Sequence, residues 1–339
     1  MPIPNYGVFV GTVTDKLDSA EALKKVPGGS PHYEVLVKAG DVTYRLAVNV
    51  KSDQKPPDLQ FYLNDNYQHP VLDAVRQLKP GYTKLASVPD TAALDFIRGN
   101  LFDFNDLRIV PATDSSGNDL NDTFNLYIEQ AMKTEGALVY AFGSKWGPET
   151  QADEYFGFTP GNGIHDIHMN QGNKGSHAGD NGVYQDGALF IYYPDESRWV
   201  AMFLKFQSQE VHTSDGDAGP IPSPTPVPPE NDTAVRIMAA LVNPKGDDAR
   251  KEVVYLLNTT DKNIDLDGWA IADKQKKKEI LKGVQIAAGE VLQYHLSGQT
   301  AQLSNNGGII TLLNKSGLKI SGVSYTAKQA AQQGQVVKF

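Results

Sequence analysis

Residues 213–230 read Thr213-Ser-Asp-Gly-Asp-Ala-Gly-Pro-Ile-Pro-Ser-Pro-Thr-Pro-Val-Pro-Pro-Glu230. Five prolines fall in the nine positions from Pro220 to Pro228, and Pro229 follows. Proline fixes φ and removes the amide donor, so such a run joins neither a helix nor a sheet and favours an extended, semi-rigid segment. The 339-residue chain is long for one domain. It is therefore read as two folded units, 1–212 and 231–339, held apart by a Pro-rich linker over 213–230.

The two sides differ in texture. On the first side strands and helices mix. Tyr6–Thr14, His32–Lys38 and Thr43–Val50 alternate apolar and polar residues, as half-buried strands do. Ala39-Gly-Asp41 between the last two predicts a hairpin. Residues 15–31 read as a loop ending in Pro27-Gly-Gly-Ser-Pro31. Leu59–Leu63 reads as a short strand, and a short helix opens at His69-Pro70 with Leu72, Val75 and Leu78 on one face. A second helix is expected after an Asp90 N-cap, through Ala93, Leu94 and Ile97 to Gly99. Leu120, Phe124, Tyr127, Ile128 and Ala131 follow helical spacing across 118–134. Ala137–Phe142, Ala188–Tyr193 and Trp199–Phe206 read as strands, the last two as a hairpin. Trp199-Val-Ala-Met-Phe-Leu204 is apolar on both faces, so it predicts a central strand. This order predicts an α+β domain.

Beyond residue 231, short strands recur about every ten residues without a long helix, the pattern of a β-sandwich. The quoted residues are Ala240-Leu-Val-Asn-Pro244, Gly246-Asp-Asp248, Glu252-Val-Val-Tyr-Leu-Leu-Asn258, Leu266-Asp-Gly-Trp269 with Asp273, Ala288-Gly289 and Leu303-Ser-Asn-Asn-Gly-Gly308. With them the segment 233–339 resembles the lamin-tail domain. The resemblance implies an immunoglobulin-like sandwich, a non-catalytic module that in bacteria is often appended to hydrolases or surface proteins. It implies binding or positioning. Physical reasons stand beside it: Gly268-Trp269 sets a large ring after a turn, and Asn305-Asn-Gly-Gly308 tolerates positive φ in a tight reversal.

The first unit has its own resemblance. Ser30-Pro-His-Tyr33, Asn49-Val50, Arg98-Gly-Asn-Leu-Phe102, Asp119-Leu-Asn-Asp122, Tyr140-Ala-Phe-Gly143, Gly157–Asn173, Gln185-Asp-Gly187 and Phe206-Gln-Ser-Gln209 make residues 5–214 similar to the YukJ family of uncharacterised bacterial proteins. That family carries no activity over.

Composition bounds the chemistry. There are no cysteines, which removes disulfides, thiol nucleophiles and thiolate metal sites, and fits a reducing compartment. Met1-Pro-Ile-Pro-Asn-Tyr6 lacks a basic region before an apolar run, so a cytoplasmic location without a signal peptide is expected. No apolar run approaches a membrane span. Residues 1–230 hold 17 Lys and Arg against 30 Asp and Glu. Residues 231–339 hold 14 against 10. The acidic first part argues against nucleic acid as its partner. The basic run Lys274-Gln-Lys-Lys-Lys278 reads as a solvated loop, with a site for an anionic partner as the alternative.

Chemistry concentrates in Gly157-Phe-Thr-Pro-Gly-Asn-Gly-Ile-His-Asp-Ile-His-Met-Asn-Gln-Gly172. His165, Asp166, His168 and Gln171 are the candidate catalytic residues, with Asn170, Gln207, Gln209 and His32 as candidate substrate-binding residues. In an extended strand His165 and His168 would face opposite sides, and the flanking glycines leave little room for a helix. The HxxH is therefore not read as a helical zinc motif. Three readings stay open. The histidines act as general acid and base, with amides steadying developing charge. Alternatively His168, Asp186 and His212 hold a divalent metal. The plain alternative is that both histidines saturate backbone groups in a crowded turn. The functional expectation is a hydrolase-like enzyme with a docking module; the alternative is a non-enzymatic protein that binds a small molecule, peptide or protein.

Overall fold

A computed structural model describes residues 3, 5–29, 32–50, 59–86, 88, 91–103, 106–109, 119–165, 185–206, 234–246, 250–317 and 319–339. The Pro-rich stretch 213–230 lies outside them.

The first unit runs β1 (Tyr6–Leu17), α1 (Ser19–Lys25), β2 (His32–Ala39), β3 (Val42–Asn49), β4 (Leu59–Asn64), α2 (Val71–Val75), β5 (Gly81–Lys84), α3 (Phe96–Gly99), β6 (Arg108–Ile109), α4 (Asp119–Lys133), β7 (Leu138–Trp146), β8 (Gly163–His165), β9 (Ala188–Tyr193) and β10 (Arg198–Phe206). Its strands form one mixed sheet in the order β5-β1-β2-β3-β8-β7-β9-β10-β4-β6. A further pairing of β1 with β7 closes β1-β2-β3-β8-β7 into a ring. β3 and β8 run parallel, and the other pairs are antiparallel. The helices are few and mostly one or two turns, so the α+β description fits only loosely: this unit is predominantly β.

The alternation read from the strands is what builds its two cores. In β10, Val200, Met202 and Leu204 enter one core while Trp199, Ala201 and Phe203 enter the other. The strand sits between β9 and β4, which is why it is apolar on both faces. Leu120, Phe124 and Ile128 lay α4 against the first of these cores. Phe124 is wholly buried, and its truncation to alanine would cost about 3–5 kcal/mol.

Two local expectations are corrected. The segment read as a loop over 15–31 contains α1, started by a capping box in which Asp18 accepts from the Glu21 amide and Glu21 returns a bond to the Asp18 amide. The helix expected after Asp90 begins only at Phe96. Leu94 N–H donates instead to the Tyr6 hydroxyl, and the Phe96 amide donates to the Asp186 carboxylate, a cap supplied from a distant segment. Asp90 lies outside the described residues.

The second unit is built from antiparallel strands: β11 (Val235–Leu241), β12 (Val253–Asn258), β13 (Ile264–Asp265), β14 (Ala270–Ala272), β15 (Lys278–Ile280), β16 (Gln285–Ile286), β17 (Val291–His295), β18 (Gly307–Leu313), β19 (Lys319–Thr326) and β20 (Val337–Lys338), with the short helix α5 (Ala327–Ala330). Two four-stranded sheets, β17-β12-β11-β20 and β15-β14-β18-β19, are accompanied by the separate small pair β13-β16. Alternate residues of both larger sheets meet in one core: Val235 and Ile237 of β11 and Val254 and Leu256 of β12 with Ile271, Ile310 and Leu312 of the other sheet. Trp269 packs half-buried against this core after Gly268, whose φ is +80°.

The two units touch. The Asn100 amide donates to Ile310 O, Thr311 Oγ1 and Val323 O, each at 3.1 Å. The Lys319 ammonium lies 5.2 Å from the centre of the Phe96 ring. Gly322 makes the approach possible, since a Cβ there would meet Asn100 Oδ1 at 2.1 Å. The proline-rich sequence predicts a stiff spacer between the units; such a run limits the shape of the connection, not whether its ends fold back on one another.

Candidate functional site

Strand alternation assembles the site on the outer face of the ring. In register, His32 lies opposite Asn49, and Glu34 opposite Ala47. Ala47 lies opposite His165, and Arg45 opposite Gly163. Ser144 and Trp146 of β7 pair with His165 and Gly163. Side chains of paired residues share a face. His32, Glu34, Arg45, Asn49, Ser144, Trp146 and His165 are therefore neighbours on one surface. The intervening residues Tyr33, Val35, Tyr44, Leu46, Val48 and Ile164 point the other way, into the core. A one-residue slip of β8 would exchange Ile164 for His165 and bury an imidazole, so the core sets the site's register.

The central feature is a pair of histidines. His165 Nε2 lies 3.2 Å from His32 Nε2, with ring centroids 4.8 Å apart and planes inclined by 82°. Ala47, between Glu34 and His165 in register, contributes only a methyl group and leaves the rings room. The edge of His165 also faces the Trp146 ring at 6.3 Å. Trp146 lies over Gly163, where a Cβ would meet the indole at 2.1 Å and Arg45 O at 2.0 Å.

Beside the pair is a buried ionic cluster. The Arg45 guanidinium donates to Glu34 Oε2 at 2.8 Å and to Asp153 Oδ2 at 2.7 Å, with Glu154 at 3.8 Å. It is sandwiched by aromatic rings, 4.8 Å from the Trp146 centroid and 4.4 Å from that of Tyr155. Asp153 Oδ1 accepts from the Tyr155 and Phe156 amides, which fixes its loop. Glu34 is fully buried, and its Oε1 makes no hydrogen bond among the described residues. Burial pushes its carboxyl up to about 7, against the opposing pull of Arg45 and His165. The carboxyl is thus poised to change charge near neutrality.

Of the residues singled out from sequence, the structure brings His165 and His32 together. Asp186 is buried, its carboxylate receiving the Phe96 amide and its carbonyl the Tyr6 hydroxyl. Asp166, His168, Asn170, Gln171, Gln207, Gln209 and His212 lie outside the described residues. Among the described residues no three His, Asp or Glu side chains converge as a metal site. An open concavity lined by Asp65, Asn66, Tyr127, Gln130, Glu196 and Arg198 contains none of the expected residues. Sequence reasoning missed Glu34, Arg45, Trp146, Asp153 and Tyr155. A signal existed: in His32-Tyr-Glu-Val-Leu-Val37 the glutamate shares the histidine's face, and in Thr43-Tyr-Arg-Leu-Ala-Val-Asn49 the arginine shares that of Ala47.

Residues 1–218, which contain the whole polar face, match the family described as "Uncharacterized conserved protein (DUF2278)". The chain belongs to this family. Residues 228–327 match the Lamin Tail Domain. Within the DUF2278 part the chain is 38% identical over 213 residues to the "Uncharacterized protein YukJ" of Bacillus subtilis (strain 168), covering 62% of this chain and 91% of that relative. The DUF2278 match covers the sheet that carries the histidine pair, and the lamin-tail match begins after it.

Proposed function

We propose that the chain is a hydrolase-like enzyme whose reaction centre is the His32–His165 pair. The observation that carries this reading is the approach of the two Nε2 atoms to 3.2 Å on a face that also holds a buried ion cluster. Two imidazole nitrogens this close can activate water by taking its proton or by holding an ion that makes it acidic. Either route yields a nucleophilic water, which is why hydrolysis is favoured over group transfer. Arg45, clamped between rings and carboxylates, acts as a positioning residue for β3 and β8, not as a substrate ligand. Asp166, His168 and Gln171, which follow His165 directly in the chain, are assigned supporting catalytic roles on sequence grounds, and Asn170, Gln207 and Gln209 substrate contacts.

In this reading the division falls at 213–230 and the second unit is an immunoglobulin-like docking module for a peptide or protein. A cytoplasmic location is supported by the absence of cysteine, which fits a reducing compartment. No described helix is long and apolar enough to cross a membrane. The test is a panel of chromogenic carboxylic esters, phosphomonoesters and phosphodiesters offered to the full chain and to His165→Ala and His32→Ala. At least one class should be turned over, and each variant should lose about 10²–10⁴-fold in kcat/KM. Turnover of none of the three classes, or variants as active as the parent, refutes the assignment.

A further inference from the structure

The spacing of the two rings distinguishes the routes by which they could activate water. An imidazole nitrogen binds a divalent first-row ion at about 2.0–2.1 Å. Two nitrogens 3.2 Å apart share such an ion at an N–metal–N angle of about 100°, between tetrahedral and octahedral values. The rings' centroids then fall about 4.9 Å apart if each ring points at the ion. They are 4.8 Å apart. A straight ring-to-ring hydrogen bond across the same gap would put the centroids about 5.5 Å apart, because the rings would lie end to end. The rings therefore do not lie end to end, and their separation fits one ion held between the two Nε2 atoms.

We propose that His32 and His165 are two ligands of a divalent transition-metal site, bound through their Nε2 atoms. This rests on the hydrolytic reading only for what the ion would do, not for whether it binds. Nitrogen donors select zinc, cobalt, nickel or copper over magnesium, calcium and manganese, which prefer oxygen. Three features of the fold prepare the site. Each histidine stands on a paired strand, so its Cα is fixed. Ala47, paired in register with Glu34 and His165, adds only a methyl group to that face. Glu34 brings a carboxyl to the same face, opposite Ala47 in register. The cationic neighbour, Arg45, is held by Glu34 and Asp153.

The pair differs from the metal set read off the sequence, which joined His168, Asp186 and His212. It requires both Nε2 atoms to be deprotonated, so binding releases protons and weakens as pH falls.

The experiment uses the full chain, stripped with a chelator and titrated with Co²⁺ and with Zn²⁺. One equivalent of Co²⁺ should bind with visible ligand-field bands, and Zn²⁺ should displace it. His32→Ala and His165→Ala should each weaken Zn²⁺ binding at least 100-fold, as read by calorimetry, while the exposed sandwich variant His295→Ala binds as the parent does. His32→Gln and His165→Gln, with melting curves for all variants, separate ligand loss from unfolding. A folded parent that takes up no stoichiometric Co²⁺ or Zn²⁺, or folded variants that bind as the parent does, overturns the metal site. If hydrolysis also persists in the parent without metal and is lost in the variants, the hydrolytic reading survives alone. If metal binds through the pair and no ester is hydrolysed, the metal site survives alone.

Discussion

His69 offers a measurable link between one buried ring and the pH dependence of the whole fold. Its Nδ1 accepts the Val71 amide at 3.0 Å at the start of α2. Nε2 lies 2.9 Å from Gly99 O, and since Nδ1 accepts, Nε2 must carry the proton and donate to that carbonyl. The ring is 5% exposed, so it is held neutral, and burial lowers its pKa from 6.5 to about 4. A histidine depressed in the folded state contributes stability that is complete above its unfolded pKa and is lost as pH falls toward the folded one. The unfolded chain takes up the proton first, at 6.5, and the folded chain resists until about 4. Each unit between them costs about 1.4 kcal/mol. Between pH 7.5 and pH 5 the loss is about 2 kcal/mol, and near pH 4 it approaches 3 kcal/mol. The substitution His69→Gln keeps a donor for Gly99 O and abolishes the titration. Urea unfolding of both proteins at pH 7.5, 6, 5 and 4.5 isolates the effect. The advantage of the parent over the variant should shrink by about 2 kcal/mol by pH 5. A difference that stays flat across this range would show that His69 titrates normally, and the burial argument would fail.

Three further outcomes follow from contacts already described. Gly163→Ala should destabilise by about 1–3 kcal/mol in urea, because its Cβ meets backbone and indole with nowhere to go; an unchanged midpoint would refute the close approach of β3, β8 and Trp146. Gly322→Ala should weaken the contact between the units, and adding Asn100→Gly should recover most of the loss, with a coupling of about 0.5–3 kcal/mol in a double-mutant cycle; strict additivity would mean that the units do not meet there. Glu34 has the opposite sign to His69. Its carboxyl is raised to about 7, so its contribution is present below the ordinary value of 4.5 and is lost as pH rises through 7. Glu34→Gln should therefore gain about 3 kcal/mol relative to the parent between pH 4.5 and pH 8, and parallel pH profiles would count against a buried, raised carboxyl.

Much of the chain was legible as sequence because alternation and helical spacing are local records of burial. The hairpin around Gly40-Asp41, the α4 face of Leu120, Phe124 and Ile128, and the doubly apolar strand at Trp199–Leu204 were all read from neighbours within a few residues. The Asp18–Glu21 capping box is equally local, yet it lies in a charged stretch whose sequence reads as loop. The late start of α3 was not local at all, since its cap is Asp186, ninety residues away.

The site divides in the same way. Residue chemistry alone marked His165 and, more faintly, His32, because imidazoles bracketed by glycine and proline are conspicuous in a linear string. Nothing within the linear string joins position 32 to position 165. Their meeting depends on β8 entering the ring parallel to β3 and antiparallel to β7, a pairing decided by where Ile164 can bury its side chain. The same closure turns Glu34 and Arg45 from ordinary strand charges into a buried ion pair clamped by Trp146 and Tyr155. Local pattern thus determined which segments become strands and helices, whereas only the folded ring decided which polar side chains share a face, because sheet neighbours are chosen by core packing across long stretches of chain.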